Sequence, residues 1–132
     1  MLVVKAGFAY WALIFALGFV LGTLRTLWGA EALGEEQFIL LEVPVMLLAS
    51  WLAARMLMPR FAIHSRRRAL VMGVFAFALL MAAELALAAG MGGEGASAWI
   101  ASLTHPPGLY GFLGQIAFGL MPLFAVRKRS LL

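Results

Sequence analysis

The sequence contains no cysteine, so disulfide bonds, thiolate metal sites and cysteine nucleophiles are excluded. It is also poor in charge: Asp, Glu, Lys and Arg together make up 12% of the 132 residues, against about 25% in a typical soluble domain. Hydrophobic residues make up 64%, and a soluble chain of this length has too small an interior to bury them. With a mean hydropathy of +1.00, the composition predicts a membrane protein.

Four apolar stretches are long enough to cross a bilayer, which needs roughly 20 apolar residues in a helix. They cover about residues 6–28, 38–58, 69–90 and 108–126. The segment between the last two is rich in Gly, Ser and Pro, which favours an exposed loop. The four spans take up nearly the whole chain, so we predict an all-α fold: a single four-helix transmembrane domain over residues 1–132, arranged up-down-up-down.

The basic residues lie on one side of this predicted bundle. Apart from Arg25, they fall at the N-terminus, in or near the middle loop and in the C-terminal tail. The charged residues of the first and third loops are all glutamates. This distribution predicts that both termini are cytoplasmic, in a membrane of the bacterial inner (plasma) type. It also explains the pI near 10.4 without nucleic-acid binding. We expect six of these residues to contact anionic lipid headgroups: Arg66, Arg67, Arg68, Arg127, Lys128 and Arg129.

Apart from Arg55, which lies one turn inside the cytoplasmic end of the second span, each span contains one strongly polar residue: Arg25, Glu42, Glu84 and Gln115 in chain order. At about 1.5 Å per residue, they lie roughly 5, 6, 9 and 11 Å from the outer ends of their spans. Charges at membrane depth are costly and therefore informative. Because the four depths are nearly equal, we predict one polar cluster in the outer leaflet.

Helical phase supports the cluster, because each polar residue shares a helix face with small residues, which allow close helix packing in lipid. The four faces are Gly18, Gly22, Arg25 and Gly29; Glu42, Met46, Ala49 and Ala53; Gly73, Phe77, Leu80 and Glu84; and Gly108, Gly111, Gln115 and Pro122.

The charges in this cluster suggest its chemistry. Arg25 stays protonated, so it pairs with one ionised carboxylate, and we predict that Glu42 and Glu84 share a single proton. Pro44 leaves the carbonyl of Leu40 without its helical donor nearby. An arginine, a shared proton and a free carbonyl could seat a cation, a proton or a polar headgroup.

The two histidines lie on opposite faces of the predicted bundle. His64 is interpreted as a solvated loop residue beside three arginines. His105 lies on the same side as the polar cluster, either as a simple turn residue before two prolines or as a gate or general base. One haem could not bridge the two, and the spacing supports no metal site, so we predict no metal and no cofactor.

Three functions fit these observations. The first is a small inner-membrane protein that binds or moves a small cation or proton through Arg25, Glu42 and Glu84. The alternative is a non-catalytic membrane subunit or assembly protein in which the cluster is a structural ion-pair lock. The third, an intramembrane enzyme acting on lipid or quinone, has no visible nucleophile or metal set. Because four helices enclose little space, we expect a binding pocket at an interface with a second copy or with a partner membrane protein.

Overall fold

The computed structural model describes residues 2–90, 95–106 and 108–126. These residues are helical throughout, apart from short turns. The elements are α1 (Leu2–Leu24), a π-helical segment (Arg25–Gly29), α2 (Ala30–Leu33), α3 (Glu35–Arg60), α4 (Arg66–Gly90), α5 (Gly95–Ser102) and α6 (Gly108–Ala125). Arg127, Lys128 and Arg129, predicted to contact headgroups, lie outside the described residues.

Four helices are long and apolar enough to cross a membrane: Leu2–Gly29, Glu35–Arg60, Arg66–Gly90 and Gly108–Ala125. The helix is the natural form for such segments, because all its backbone hydrogen bonds are made within the segment and none depends on water. Many large apolar side chains on these helices are exposed, including Phe19, Leu27 and Phe124, as suits contact with lipid. The sequence-based prediction of a multi-pass, all-helical membrane protein is confirmed at this level.

Two predicted joints contain more helix than expected. Between the first two spans, α1 continues as the π-helical segment and then as α2. The helix is interrupted at Gly34, between α2 and α3. Its φ of +90° is accessible to glycine but rarely to other residues. In the segment taken as an exposed loop, residues 95–102 form α5, none of whose residues is buried. A Gly- and Ser-rich composition therefore did not prevent a short helix here.

Each long helix packs against two of the others. α1 packs against α3 and α4, and α6 also packs against α3 and α4. α4 and α6 approach so closely that a Cβ on Gly73 would overlap the carbonyl group of Gly119. Small residues of this kind let helix backbones meet in lipid, where dispersion contacts take the place of the hydrophobic effect.

Candidate functional site

A cavity of about 750 Å³ lies between the helices, and α1, α3, α4, α5 and α6 all contribute residues to its wall. Its lining reaches Leu27 in the π-helical segment, Glu35 in the first turn of α3 and Leu103 after α5. The space between the four helices is larger than the sequence predicts, although the cavity is partly open to its surroundings rather than fully enclosed. Gly111 contributes to this space, since a Cβ there would meet nothing within 4 Å. The wall described here is formed by residues of a single copy of the chain.

The four polar residues predicted to cluster all line this one cavity: Arg25, Glu42, Glu84 and Gln115. On the same helical faces, Gly18, Gly29 and Gly73 lie against neighbouring helices. The four polar residues do not form a single hydrogen-bonded group, however, but two separate pairs.

The first pair joins Arg25 to Glu42. Nη1 of Arg25 donates to both carboxylate oxygens, at 2.7 and 2.8 Å. The side chains are 29% and 15% exposed, so the pair is only partly shielded from its surroundings. Charge-assisted hydrogen bonds of this length are among the stronger ones in proteins, and this pair ties the end of α1 to α3.

The second pair joins Glu84 to Gln115. Nε2 of Gln115 donates to Oε1 of Glu84 at 2.7 Å, and the indole of Trp99 in α5 is close enough to interact with the same carboxyl group. Among the described residues, no basic side chain forms an ion pair with Glu84. Its carboxyl group is therefore held in place by neutral donors, with no opposite charge paired to it among the residues that the structure describes.

The amide oxygen of Gln115 is buried and accepts no hydrogen bond from any described residue. A buried acceptor without a partner is costly. Gln115 lines the cavity, but this oxygen is itself buried, so the amide presents its bonded Nε2 side to Glu84.

Toward the middle of the long helices, the cavity is lined by Ile14, Ser50 and Phe118, which are all buried. Beside them, Tyr10 stacks on the ring of Phe118 with centroids 4.5 Å apart. The hydroxyl of Tyr10 donates to the carbonyl oxygen of Phe118 at 2.6 Å. That oxygen would normally accept the N–H of residue 122, but Pro122 has none. Tyr10 therefore lies beside this part of the cavity and satisfies a carbonyl that Pro122 leaves free.

His105 does not join the site. It is exposed, is not among the residues lining the cavity, and its Nδ1 lies 3.0 Å from the carbonyl oxygen of Ala101. Among residues 2–90, 95–106 and 108–126, no three His, Asp or Glu side chains come together as a possible metal site.

The basic residues Arg66, Arg67 and Arg68 are exposed in the first turn of α4, where headgroup contact is sterically open. Arg55 has a more specific place, since its Nη1 donates to the carbonyl oxygen of Ala125 at 3.2 Å. Ala125 is the last residue of α6, and a cation at a helix C-terminus is favourable.

Reasoning from sequence missed four residues around the cavity: Tyr10, Glu35, Ser50 and Trp99. A tyrosine within an apolar span needs a hydrogen-bond partner for its hydroxyl. Pro122, in another span, has no N–H and so leaves the carbonyl of Phe118 free to accept one. These two features of the sequence together could have predicted the contact. Glu35 and Trp99 looked like ordinary interfacial residues. Ser50 donates to the carbonyl of Met46, one turn earlier in its own helix, at 2.6 Å, and such a local bond leaves no trace in the sequence.

No protein-family model matches this chain, and no curated protein or solved structure is significantly similar to it. The function of the chain is therefore inferred from the cavity and the residues that line it.

Proposed function

We propose that this chain is a small membrane protein that binds or moves a small cation or a proton at Glu84. The observation that carries the proposal is the carboxyl group of Glu84, which lies on the wall of a large cavity and has no ion-pair partner among the described residues. Intramembrane carboxylates of this kind are typical of ion pathways and proton relays. The cavity wall carries three glutamates, Glu35, Glu42 and Glu84, and one arginine, so its excess negative charge favours cations.

In this proposal, the two pairs have different tasks. Arg25 neutralises Glu42, and their short hydrogen bonds hold α1 to α3. Glu84 is free to exchange a proton or a cation while Gln115 and Trp99 position it. The Arg25–Glu42 pair is thus a structural element beside the binding group.

The proposed setting is a bacterial-type inner membrane, with an up-down-up-down arrangement and both termini in the cytoplasm. The positions of the basic residues support it, since Lys5, Arg60 and Arg66–Arg68 lie at the start of α1, the end of α3 and the start of α4. Contacts between successive helices support it as well: Gly18 in α1 faces Met46 in α3. Arg25, in the π-helical segment that follows α1, bonds Glu42, which comes before Met46 in α3, so the two helices run in opposite directions. The cavity then lies in the outer half of the bilayer.

A second candidate is the non-catalytic membrane subunit, with the polar residues serving only to fix the bundle. The partly exposed but tightly bonded Arg25–Glu42 pair favours it, because intramembrane hydrogen bonds can contribute to helix association without any ligand.

The test is flux into vesicles reconstituted with the purified protein and loaded with a pH-sensitive dye. Sodium, potassium and pH gradients are imposed in turn on the unsubstituted protein and on Glu84→Gln, Glu42→Gln and Glu31→Gln. We expect a flux that Glu84→Gln reduces to that of protein-free vesicles. Glu31 is exposed and does not line the cavity, so Glu31→Gln is the matched control and should behave as the unsubstituted protein.

The two candidates differ in what Glu84→Gln should do. If the cluster only fixes the bundle, the unsubstituted protein gives no flux under any gradient and Glu84→Gln lowers thermal stability. If Glu84 is the binding group, Glu84→Gln keeps its helical content and unfolding temperature within the range of Glu31→Gln but loses flux.

A further inference from the structure

The cavity is much larger and more apolar than a small inorganic cation requires. At about 750 Å³, it falls in the range of roughly 300–1,000 Å³ that is usual for pockets binding organic molecules. Such pockets combine mainly apolar walls with a few polar groups that orient the ligand. The apolar part of this wall includes Ile14, Phe15, Met46, Leu80, Phe112 and Phe118.

We propose that the cavity binds an amphiphilic organic ammonium ion, with its protonated amine at Glu84 and Gln115 and its apolar body among the side chains toward Ile14 and Phe118. This inference rests on the proposed cation binding at Glu84 and specifies the class of cation. The shared chemistry is a protonated amine on an apolar body, whether a free lipophilic amine or the amine of a membrane lipid.

The polar groups fit an ammonium head that has N–H donors. The carboxylate of Glu84 supplies the opposite charge, and Gln115 bonds only its Oε1, so the carboxylate can also accept from the ammonium group. Trp99 lines the same cavity, and an indole face attracts cations. A carboxylate or phosphate ligand is disfavoured, because Arg25 is already engaged by Glu42 and the remaining charges are negative.

The apolar walls set the length of the body. Along α3, Glu42 and Ser50 both line the cavity, and eight residues of helix span about 12 Å. A chain of about eight carbons fits this length, whereas methylammonium would leave most of the apolar wall uncovered. The chain then fills the apolar part of the cavity, and its dispersion contacts with the wall add to the attraction between the charges.

The test is calorimetric titration of the protein in an uncharged detergent with octylammonium, octyltrimethylammonium, methylammonium, octanol and octanoate. Since every octyl compound enters detergent micelles, binding is the difference between the unsubstituted protein and Glu84→Gln. We expect saturable binding of octylammonium that Glu84→Gln weakens about 10- to 100-fold, as for the loss of a hydrogen-bonded charge. Octyltrimethylammonium, which has no N–H for the carboxylate of Glu84, should bind about two- to tenfold more weakly.

A cavity-filling variant tests the location. A Cβ at Gly111 or at Gly90 meets nothing within 4 Å, but only Gly111 lines the cavity. Gly111→Leu should weaken octylammonium binding by a larger factor than methylammonium binding, whereas Gly90→Leu should change neither. Competition by phosphatidylethanolamine, but not phosphatidylcholine, would assign the amine to a membrane lipid, and its absence would assign it to a free amine.

The outcomes separate this inference from the proposed function. Octanol or octanoate binding as tightly as octylammonium, or octylammonium binding unchanged in Glu84→Gln, overturns the inference. If cation or proton flux through the unsubstituted protein still depends on Glu84, the proposed function stands while the inference fails. If neither flux nor octylammonium binding depends on Glu84, both fail.

Discussion

One guanidinium nitrogen of Arg25 donates to both carboxylate oxygens of Glu42, at 2.7 and 2.8 Å. The two residues come from α3 and from the π-helical segment that follows α1. π-Helical turns inside α-helices are uncommon and occur frequently at functional sites. Here the segment begins at the residue that makes the ion pair, and its last residue, Gly29, packs so closely that a Cβ would overlap the ring of Phe38. The π-helical segment, the ion pair and the close approach of Gly29 to Phe38 therefore all lie where the end of the first span packs against α3.

The Arg25–Glu42 pair should show strong coupling in a double-mutant cycle. Arg25→Gln or Glu42→Gln alone leaves the partner charge uncompensated, and each should lower the free energy of unfolding by about 1–2 kcal/mol. The double variant should lose no more unfolding free energy than the less stable of the two single variants, because it contains neither charge and so leaves none unpaired. Unfolding in detergent followed by circular dichroism measures these differences, with Glu31→Gln as a control. Losses that simply add would show that the pair contributes nothing as a pair.

The hydrogen bond from Tyr10 to Phe118 should depend on Pro122. Tyr10→Phe removes the donor and leaves the carbonyl of Phe118 buried without a partner, which should cost about 1–3 kcal/mol of unfolding free energy. In a Pro122→Ala background, residue 122 regains an N–H for that carbonyl, so adding Tyr10→Phe should cost much less. The same unfolding measurement applies.

Tyr110 provides the matched control for this cycle, since it is the other tyrosine of the chain and its side chain is only partly buried. Tyr110→Phe should change stability by less than about 0.5 kcal/mol. An equal cost of Tyr10→Phe with and without Pro122 would refute the link between the hydroxyl and the missing N–H.

Much of the fold follows from the spacing of apolar residues, because a bilayer demands long apolar helices and permits few polar residues within them. The same constraint predicted that Arg25, Glu42, Glu84 and Gln115 lie at similar depths, and the lining of one cavity by all four agrees with it. The small residues that share a helical face with these four predicted which face of each helix turns toward the other helices, because small residues allow close helix packing in lipid.

The pairing within the site could not be predicted from the periodicity of the helices. Because α1 and α6 each pack against both α3 and α4, the order of the helices allows Arg25 to meet either Glu42 or Glu84. The observed pairs, Arg25 with Glu42 and Gln115 with Glu84, depend on the rotation and axial position of each helix, which the sequence pattern does not specify. The cavity was missed for a related reason: close contact at one glycine, such as Gly73, and open space at another, such as Gly111, depend on backbone separation.

The contact between Gly73 and Gly119 should be sensitive to a single methyl group. A Cβ at Gly73 would overlap a backbone carbonyl, which cannot rotate away as a side chain can. Gly73→Ala should therefore separate α4 from α6 and lower the free energy of unfolding by about 1–3 kcal/mol. Gly90→Ala, in the same helix but with open space around its Cβ, should cause no loss. Equal stabilities of the two variants would contradict a tight α4–α6 contact.

The absence of cysteine makes the proposed orientation directly measurable, since a single introduced thiol is the only one in the chain. Glu31 in α2 and Ser65 before α4 are both exposed, and only Ser65 adjoins the three arginines Arg66–Arg68. Because positive charge is retained on the cytoplasmic side, a membrane-impermeant maleimide added to intact cells should label Glu31→Cys but not Ser65→Cys. Disrupting the membrane should make Ser65→Cys equally reactive, and the unsubstituted chain should stay unlabelled throughout. Labelling of Ser65→Cys in intact cells would reverse the proposed orientation, and comparable labelling of both variants would mean that the chain inserts in both directions.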